Sequence, residues 1–313
     1  MTSRSLVARA AAMPGVGYLL VVLFVVFSLL DSSFVSPPNL INVGVQSSTL
    51  LLLALPMTLI IMSEGLDLSM GAVLGLAGVV LAMRLAHGSG MIVALASGMA
   101  VSVTFGIVNG LLIVALGLPP FVATLGTLYV AQGIALVVTG GRSVVGIGDA
   151  LPALYASTWL GLPFSIVVAT MAYVVFHVVL YQTRFGVYVF AIGGNRESLV
   201  LAGVRAHLYH VGIYALGGAM AGFAALLFTG RTNAGHPTAA IGMEFDAIAA
   251  VIVGGTSFAR GNGWLPGTLL GVLTIGVLSN GLNVLEVNNS LQVASIGLLV
   301  IVAVLIDSIR GTT

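Results

Sequence analysis

Two acidic clusters are the residues best suited to chemistry in this chain. Glu64 and Asp67 lie in the segment EGLDLSMG, and Glu244 and Asp246 lie in GMEFDAIAAVIVGG, each pair between long apolar runs. A carboxylate at the centre of a bilayer costs roughly 2.5–3.5 kcal/mol on insertion scales, so such a residue needs a local partner or a function. Gly65 in the first cluster favours a broken helix where the acids face water, backbone N–H groups or an arginine.

Two interpretations of these acids stay open. In the first, the carboxylates act at hinges or line a transport path. In the second, they cap helices, because an acidic residue at a helix start accepts hydrogen bonds from free backbone N–H groups and is favoured by the helix dipole. The sequence favours the capping interpretation for both clusters.

Uncharged polar residues inside the apolar runs could also contribute to a path. A solute rich in hydroxyl groups could use their amides as it passes. The same amides could instead join helices, through hydrogen bonds worth about 0.6 kcal/mol on average in a membrane interior. Both roles stay open for Asn109, Gln132, Asn280 and Asn283.

The other reactive residue types argue against catalysis. The chain has no cysteine and no lysine, which excludes thiolate metal sites and a Walker A phosphate loop. His207 and His210 have no HExxH-type companion, so no metal site is predicted. No cofactor is expected, and no Ser/His/Asp set can be assembled. We therefore predict a chain that is not an enzyme and that does not hydrolyse ATP through a phosphate loop of its own.

The composition places most of the chain in a lipid bilayer. Hydrophobic residues make up 59% of the 313 residues and charged residues only 6%, whereas a soluble domain has about 25% charged residues. So little charge cannot cover a surface that faces water. The bilayer is therefore an expected partner, and nucleic acid is not, since no folded basic domain is evident.

Ten apolar segments are predicted to be transmembrane helices, because about 20 apolar residues cross the hydrocarbon core. The first follows two arginines and is interpreted as a retained anchor, since no small-residue cleavage site follows it. The fourth and fifth are separated at Pro119 and Pro120, which cannot continue a helix. The predicted spans are 14–30, 41–62, 69–87, 91–117, 121–139, 163–182, 208–230, 244–259, 264–283 and 289–306.

The arginines predict the orientation of these spans. Cytoplasmic loops carry an excess of basic residues. If the N-terminus is cytoplasmic, ten crossings put the C-terminus and the polar segment 184–207 on the same side. Seven of the ten arginines then lie inside: Arg4, Arg9, Arg184, Arg196, Arg205, Arg260 and Arg310.

The two acidic clusters also predict an internal repeat. Each cluster lies between the first and second helix of a four-helix group, and the two groups start in opposite directions across the membrane. This pattern is typical of an inverted repeat that relates spans 2–5 to spans 7–10. Glycines four residues apart, such as Gly106/Gly110 and Gly218/Gly222, predict close helix packing. The predicted fold is an all-α polytopic membrane protein with one transmembrane domain over residues 1–313.

Four stretches carry a resemblance to a known family. With the order of the spans, they resemble the permease subunit of ribose-type ABC importers, the bacterial carbohydrate-uptake group that includes ribose, xylose and galactofuranose systems. Ser63-Glu64 departs from the Gly-Gly usual in that family. The stretches are MTLIIMSEGLDLSMGAVLGLAG (57–78), PPFVATLGTLYVAQGIALVVTGG (119–141), TRFGVYVFAIGGNRESLVLAGV (183–204) and GMEFDAIAAVIVGGTSFARGNGWLPGTLLGVLTIGVLSNGLNVL (242–285).

The resemblance implies a fold like that of type II ABC importers, and it implies partners. These are a second permease subunit, identical or related, a cytoplasmic ABC ATPase, and a periplasmic or lipid-anchored sugar-binding protein. Together they would move a monosaccharide across the bacterial inner membrane by alternating access. Segment 184–207 would be the cytoplasmic coupling loop that contacts the ATPase. Its coupling residues would be Gly193, Gly194, Asn195, Arg196, Glu197, Ser198 and Gly203, with a helix that begins at Asn195.

The break before the fifth span is interpreted as an inner gate, because it falls on the cytoplasmic side. Its residues are Pro119, Pro120, Phe121 and Thr124. The alternatives are an ion-coupled secondary transporter, which would share inverted repeats and broken helices, a branched-chain amino-acid ABC permease, and a channel. The first would need no ATPase, and the last would leak without coupling.

Overall fold

The computed structural model describes residues 15–257 and 262–311, and this part of the chain is mainly helical. Arg4, Arg9 and Arg260, which the orientation argument used, lie outside the described residues. Each of the ten predicted spans overlaps a helix. The helices are α1 Gly15–Leu30, α2 Pro37–Met62, α3 Met70–Ala86, α4 Met91–Val114, α5 Pro120–Thr139, α6 Ala150–Ala156, α7 Phe164–Gln182, α8 Arg184–Leu201, α9 Ala206–Thr232, α10 Met243–Val253, α11 Leu265–Val284 and α12 Asn289–Gly311.

Two short elements lie between the helices. A 3-10 turn, Ser32–Val35, joins α1 to α2. Strands β1 Thr158–Trp159 and β2 Leu162–Pro163 form an antiparallel hairpin directly before α7, with Trp159 opposite Leu162.

Six helices of the described chain are long and apolar enough to cross a membrane: α2, α4, α5, α7, α9 and α11. Shorter apolar helices are α1, α3 and, within α12, Ser290–Val302. Helix α10 has 11 residues and extends about 16 Å, roughly half of the hydrocarbon thickness. The prediction of a multi-pass helical membrane protein is therefore confirmed, while ten complete crossings stay a prediction.

Helix α2 is the centre of the bundle. Within its most apolar window 89% of the residues are buried, against 22% for α4 and 28% for α7. Every α2 residue from Ser47 to Met62 is buried, and α3 is buried over most of its length. A helix that is apolar all round belongs inside a bundle or in lipid. The chain thus surrounds α2 and α3 with helices whose outer faces are suited to lipid.

Glycines allow α4 and α9 to pack backbone against backbone. Gly106 on α4 lies against the backbone of Tyr214 and Gly218, and Gly218 lies against the backbone of Ser102. A methyl group at either glycine would overlap these atoms. The predicted Gly106/Gly110 and Gly218/Gly222 spacings therefore form the close helix contact expected of small residues in a membrane.

This contact predicts that Gly106→Ala lowers thermal stability. The added methyl group overlaps the Tyr214 carbonyl, and overpacking of this kind costs about 1–3 kcal/mol. Gly126→Ala is the matched control, because Gly126 is also helical and has open space around it; it should be neutral or stabilising by up to about 1 kcal/mol. Thermal unfolding in detergent measures both, and equal melting temperatures for the two variants would contradict the packing.

Candidate functional site

The chain breaks between α2 and α3, at residues 63–69, in the buried centre of the bundle. The Glu64 N–H donates to the Ile61 carbonyl at 3.0 Å and the Gly65 N–H donates to the Ile60 carbonyl at 2.8 Å. This pair of bonds is a Schellman motif, which satisfies the last carbonyls of a helix. Glu64 takes the left-handed position, with φ +60°, that glycine usually fills.

Asp67 organises the start of α3. It is 2% exposed, and its Oδ1 atom accepts hydrogen bonds from the Ser69 N–H at 2.9 Å and the Ser69 hydroxyl at 2.6 Å. These bonds fix Ser69, the residue that directly precedes the first helical residue, Met70. Asp67 therefore holds the chain at the entrance to α3, in a buried region without water to bond the backbone.

A chain of side-chain hydrogen bonds continues from Ser69 to two further helices. The Asn109 Nδ2 group of α4 donates to the Ser69 hydroxyl at 2.8 Å, and the Thr127 hydroxyl of α5 donates to Asn109 Oδ1 at 2.6 Å. Asn109 is completely buried. The break is thereby fixed to α4 and α5 by polar contacts that lipid cannot replace.

The Leu66 carbonyl, which lies in the break, joins two more side chains. It accepts a hydrogen bond from the Thr124 hydroxyl of α5 at 3.3 Å and another from the Tyr214 hydroxyl of α9 at 3.4 Å. Both side chains are buried. One backbone oxygen thus connects α5 and α9. We call the buried side chains around the break the central polar cluster; they are Asp67, Ser69, Asn109, Thr124, Thr127 and Tyr214.

The second acidic cluster meets the first at the start of α10. Glu244 is completely buried, and its Oε2 atom accepts a hydrogen bond from the Gly242 N–H at 3.0 Å. Its carboxylate lies so close to Gly71, in the first turn of α3, that a methyl group there would overlap it. Asp246, two residues further, is half-buried. The N-terminal ends of α3 and α10 therefore face each other, and Glu244 has the geometry of a cap.

Three of the four amides predicted to line a path lie at two separate places. Asn109 belongs to the central polar cluster, whereas Asn280 exchanges hydrogen bonds of 2.8 and 3.1 Å with Asn39, near the start of α2. Asn39 is separated from the break by the length of α2, about 35 Å. Asn283 accepts a hydrogen bond from Gln292 at 2.8 Å, which joins α11 to α12.

The predicted gate residues, and Gln132 as the fourth path amide, lie along α5. Pro119 and Pro120 begin the helix, Phe121 is 53% exposed, and Gln132 is half-buried further along. Only Thr124 of the predicted gate residues joins the central polar cluster. Sequence reasoning missed Thr127 and Tyr214, because single hydroxyl groups are frequent in apolar helices and nothing in their spacing distinguishes these two.

The segment predicted to couple with an ATPase is a kinked helix, α8. Its backbone leaves helical geometry at Asn195, with φ −158° and ψ 83°. The Asn195 Oδ1 atom accepts a hydrogen bond from the Ser198 N–H at 2.9 Å, which is the bond of a helix N-cap. A short helix, 196–201, therefore begins at Asn195, at the position that the sequence predicted.

The end of this short helix is equally well defined. The Gly203 N–H donates to the Val200 carbonyl at 2.9 Å, and the Val204 N–H donates to the Leu199 carbonyl at 3.2 Å. Gly203 has φ +76°, as the Schellman motif requires. We call residues 195–203, from cap to cap, the inner segment.

The inner segment presents both polar and apolar groups on the protein surface. Gly194, Asn195, Glu197 and Ser198 are exposed, whereas Gly193 is buried. Val200 is 57% exposed and Leu201 is 82% exposed. A groove of about 560 Å³ lies beside it, lined by Phe185, Tyr188, Gly203, Val204, Arg205, Leu208 and Tyr209.

Comparison with known proteins identifies the family. Residues 39–305 match the family described as the permease component of the branched-chain amino acid transport system. The ribose import permease of Bacillus subtilis is 37% identical over 92% of this chain and 90% of that protein. The ribose import permease of Escherichia coli K12 is 34% identical over 92% of this chain and 91% of that protein.

A third relative transports another sugar. The D-allose transport system permease of Escherichia coli K12 is 33% identical over 94% of this chain and 90% of that protein. No solved structure matches the chain. The fold is that of a multi-pass membrane permease. Within that class, the chain belongs to the family of ribose-type ABC importer permeases.

The unusual turn at Glu64 predicts that Glu64→Gly raises thermal stability. A non-glycine residue in the left-handed region costs roughly 1–2 kcal/mol, and Glu64 is exposed. Glu64→Ala is the matched control, because it removes the carboxylate and keeps the strained backbone. Unfolding midpoints in detergent should rise for the glycine variant alone. If alanine stabilises as much as glycine, charge and not backbone strain is responsible.

Proposed function

We propose that the chain is the membrane-spanning subunit of an ATP-dependent importer of a monosaccharide such as ribose. The observation that carries this proposal is the similarity to ribose import permeases along at least 90% of both chains. Movement would follow alternating access, in which the two faces of the membrane open in turn.

The comparisons favour a sugar over the other substrates considered. The family description names branched-chain amino acids, but the relatives that match along the whole chain are named for ribose and allose. An ion-coupled transporter or a channel is not favoured, since these relatives are permease subunits of import systems. The coarser assignment, a sugar ABC permease, rests on these names.

We infer that three partners complete the transporter: a second permease, a cytoplasmic ABC ATPase and a sugar-binding protein outside the membrane. Membership of this family supports the last two. The chain would lie in a bacterial inner membrane, with both termini in the cytoplasm and ten crossings related as an inverted repeat. The meeting of the α3 and α10 N-terminal ends supports such a repeat.

The inner segment is the proposed contact with the ATPase. Caps at both ends make it a short rigid helix, and its exposed apolar residues, Val200 and Leu201, need a protein partner in the cytoplasm. Only Val204 and Arg205 separate it from α9. Aromatic contacts fix the preceding part of α8 to the same helix, with ring centroids 4.5 Å apart for Tyr188–Tyr209 and 5.9 Å apart for Phe185–Tyr209. A displacement of the inner segment would therefore move α9 with it.

Helix α9 would pass this displacement to the gate. Tyr214 lies eight residues from the start of α9, about 12 Å along the axis, and reaches the Leu66 carbonyl. Thr124 of α5 reaches the same carbonyl. The start of α5, with Pro119, Pro120 and Phe121, would thus respond to α9 through one shared backbone oxygen. In this proposal the solute passes between two permease subunits, and Asp67 and Glu244 support the breaks from inside.

Reconstitution in liposomes tests the function. The chain, its ATPase and its sugar-binding protein should together transport radiolabelled ribose or allose into the liposomes. ATP is enclosed in the liposomes, where it reaches the ATPase, and the sugar-binding protein is added outside. Orthovanadate should stop uptake, and a proton or sodium ionophore should not. Uptake by the chain alone, or uptake that the ionophore abolishes, contradicts an ATP-coupled importer.

The cap of the inner segment predicts a loss of coupling in Asn195→Ala. Removal of a cap costs about 1 kcal/mol and frays the first helical turn. ATP-driven uptake should fall several-fold, while membrane insertion and thermal stability stay close to wild type. Asn195→Ser is the matched control, because serine is also a good N-cap, and it should keep most of the uptake. Equal uptake by the two variants would remove the cap from the coupling pathway.

A further inference from the structure

The hairpin before α7 exposes apolar side chains. One of them, Leu160, occupies a turn position whose backbone conformation disfavours it. Its two-residue turn, Leu160–Gly161, has φ values of +54° and +79°, as in a type I′ turn. Asparagine, aspartate or glycine usually occupies both positions of that turn. A leucine there is held in a disfavoured conformation, and such strain persists where the side chain has a role.

The tip of the hairpin is exposed and has no charged side chain. Leu160 is 96% exposed, Trp159 is 49% exposed and Leu162 is 47% exposed. Residues 150–183 contain no aspartate, glutamate, lysine or arginine. The hairpin and the segments directly before and after it in sequence therefore carry no acidic or basic side chain.

The length of α7 places the hairpin at the membrane surface. Helix α7 has 19 residues and extends about 28 Å, close to the 30 Å of the hydrocarbon core. Arg184 follows it directly and marks one polar boundary. The other end of α7, Phe164, therefore lies at the opposite boundary, and the hairpin lies immediately beyond it, at the level of the lipid headgroups.

Trp159 has the contacts of an interfacial tryptophan. Its ring packs edge-on against Phe164, with centroids 5.4 Å apart, which holds it at the depth where α7 begins. Its Nε1 group donates to the Ser157 hydroxyl at 3.0 Å, so the indole N–H has a partner within the protein. Tryptophan is enriched at the boundary between water and lipid, where its apolar ring meets the acyl chains.

We propose that hairpin 158–163 is a lipid-binding anchor, with Leu160 and Trp159 seated among the headgroups and upper acyl chains of the adjoining leaflet. The anchor fixes the depth of α7, the helix that leads into α8. The proposal depends on α7 crossing the membrane and not on the transported solute. A hairpin on the outer face could instead contact a soluble sugar-binding protein. The experiments below distinguish that contact from contact with lipid.

Spin labelling tests the anchor directly. Because the chain has no cysteine, Leu160→Cys introduces a unique site for a nitroxide in phospholipid nanodiscs. The label at 160 should collide more often with oxygen, which concentrates in lipid, than with water-soluble nickel chelate. Asp149→Cys, at an exposed position of the preceding loop, is the matched control and should show the reverse. Equal nickel accessibility at 160 and 149 would overturn the proposal.

A second variant separates lipid contact from folding. Leu160→Asn should keep the hairpin, because asparagine suits the type I′ turn, and should remove the apolar tip. Phospholipids that carry a spin label near the headgroup should quench the fluorescence of Trp159 at least two-fold less in this variant than in the wild type, at an unchanged melting temperature. The Trp159→Phe variant gives the fluorescence of the other tryptophan, which is subtracted. If wild-type Trp159 is not quenched by these lipids and is shielded only when the sugar-binding protein is added, the hairpin is a protein-docking surface and the lipid anchor is wrong.

Discussion

A backbone break inside a membrane protein needs internal partners for every freed N–H and C=O group, and this constraint governs the centre of the molecule. Water and lipid cannot supply those partners in the buried core. Between α2 and α3 the Schellman bonds satisfy one helix end, and Asp67 accepts a hydrogen bond from the N–H of Ser69, which precedes the other. The Leu66 carbonyl between them accepts hydrogen bonds from side chains of α5 and α9. The break is therefore held by three surrounding helices: α4 through Asn109, α5 through Thr124 and α9 through Tyr214.

This dependence gives the bundle a mechanical connection. Helix α9 packs backbone to backbone on α4 through Gly106 and Gly218, so the two helices move together. The same helix carries the aromatic contacts to α8 at one end and Tyr214 further along. Since packed helices in close contact shift as units, a movement of α8 would reach the central polar cluster through α9. The proposed coupling uses this connection and adds no new contact.

Local patterns in the sequence predicted the elements whose cause is local. The proline pair at 119–120 fixes where α5 begins, and Asn195 fixes the start of the short inner helix, because proline geometry and helix capping depend on neighbouring residues alone. The break near Glu64 and Asp67 was predicted for the same reason. Long-range pairing could not be predicted: nothing near Asn280 in sequence indicates that it pairs with Asn39, or that Tyr214 reaches Leu66. The helix at 244 was predicted as well, but it ends at Val253 and not at the predicted residue 259.

Chemical labelling of the inner segment tests the central claim, that energy enters this permease from the cytoplasmic face. In the cysteine-free chain, Ser198→Cys gives one exposed thiol, and Asp149→Cys gives one on the other proposed face. In right-side-out vesicles a membrane-impermeant maleimide should label position 149 at once and position 198 only after the membrane is opened. Labelling of position 198 in sealed right-side-out vesicles would place the inner segment outside and contradict the account.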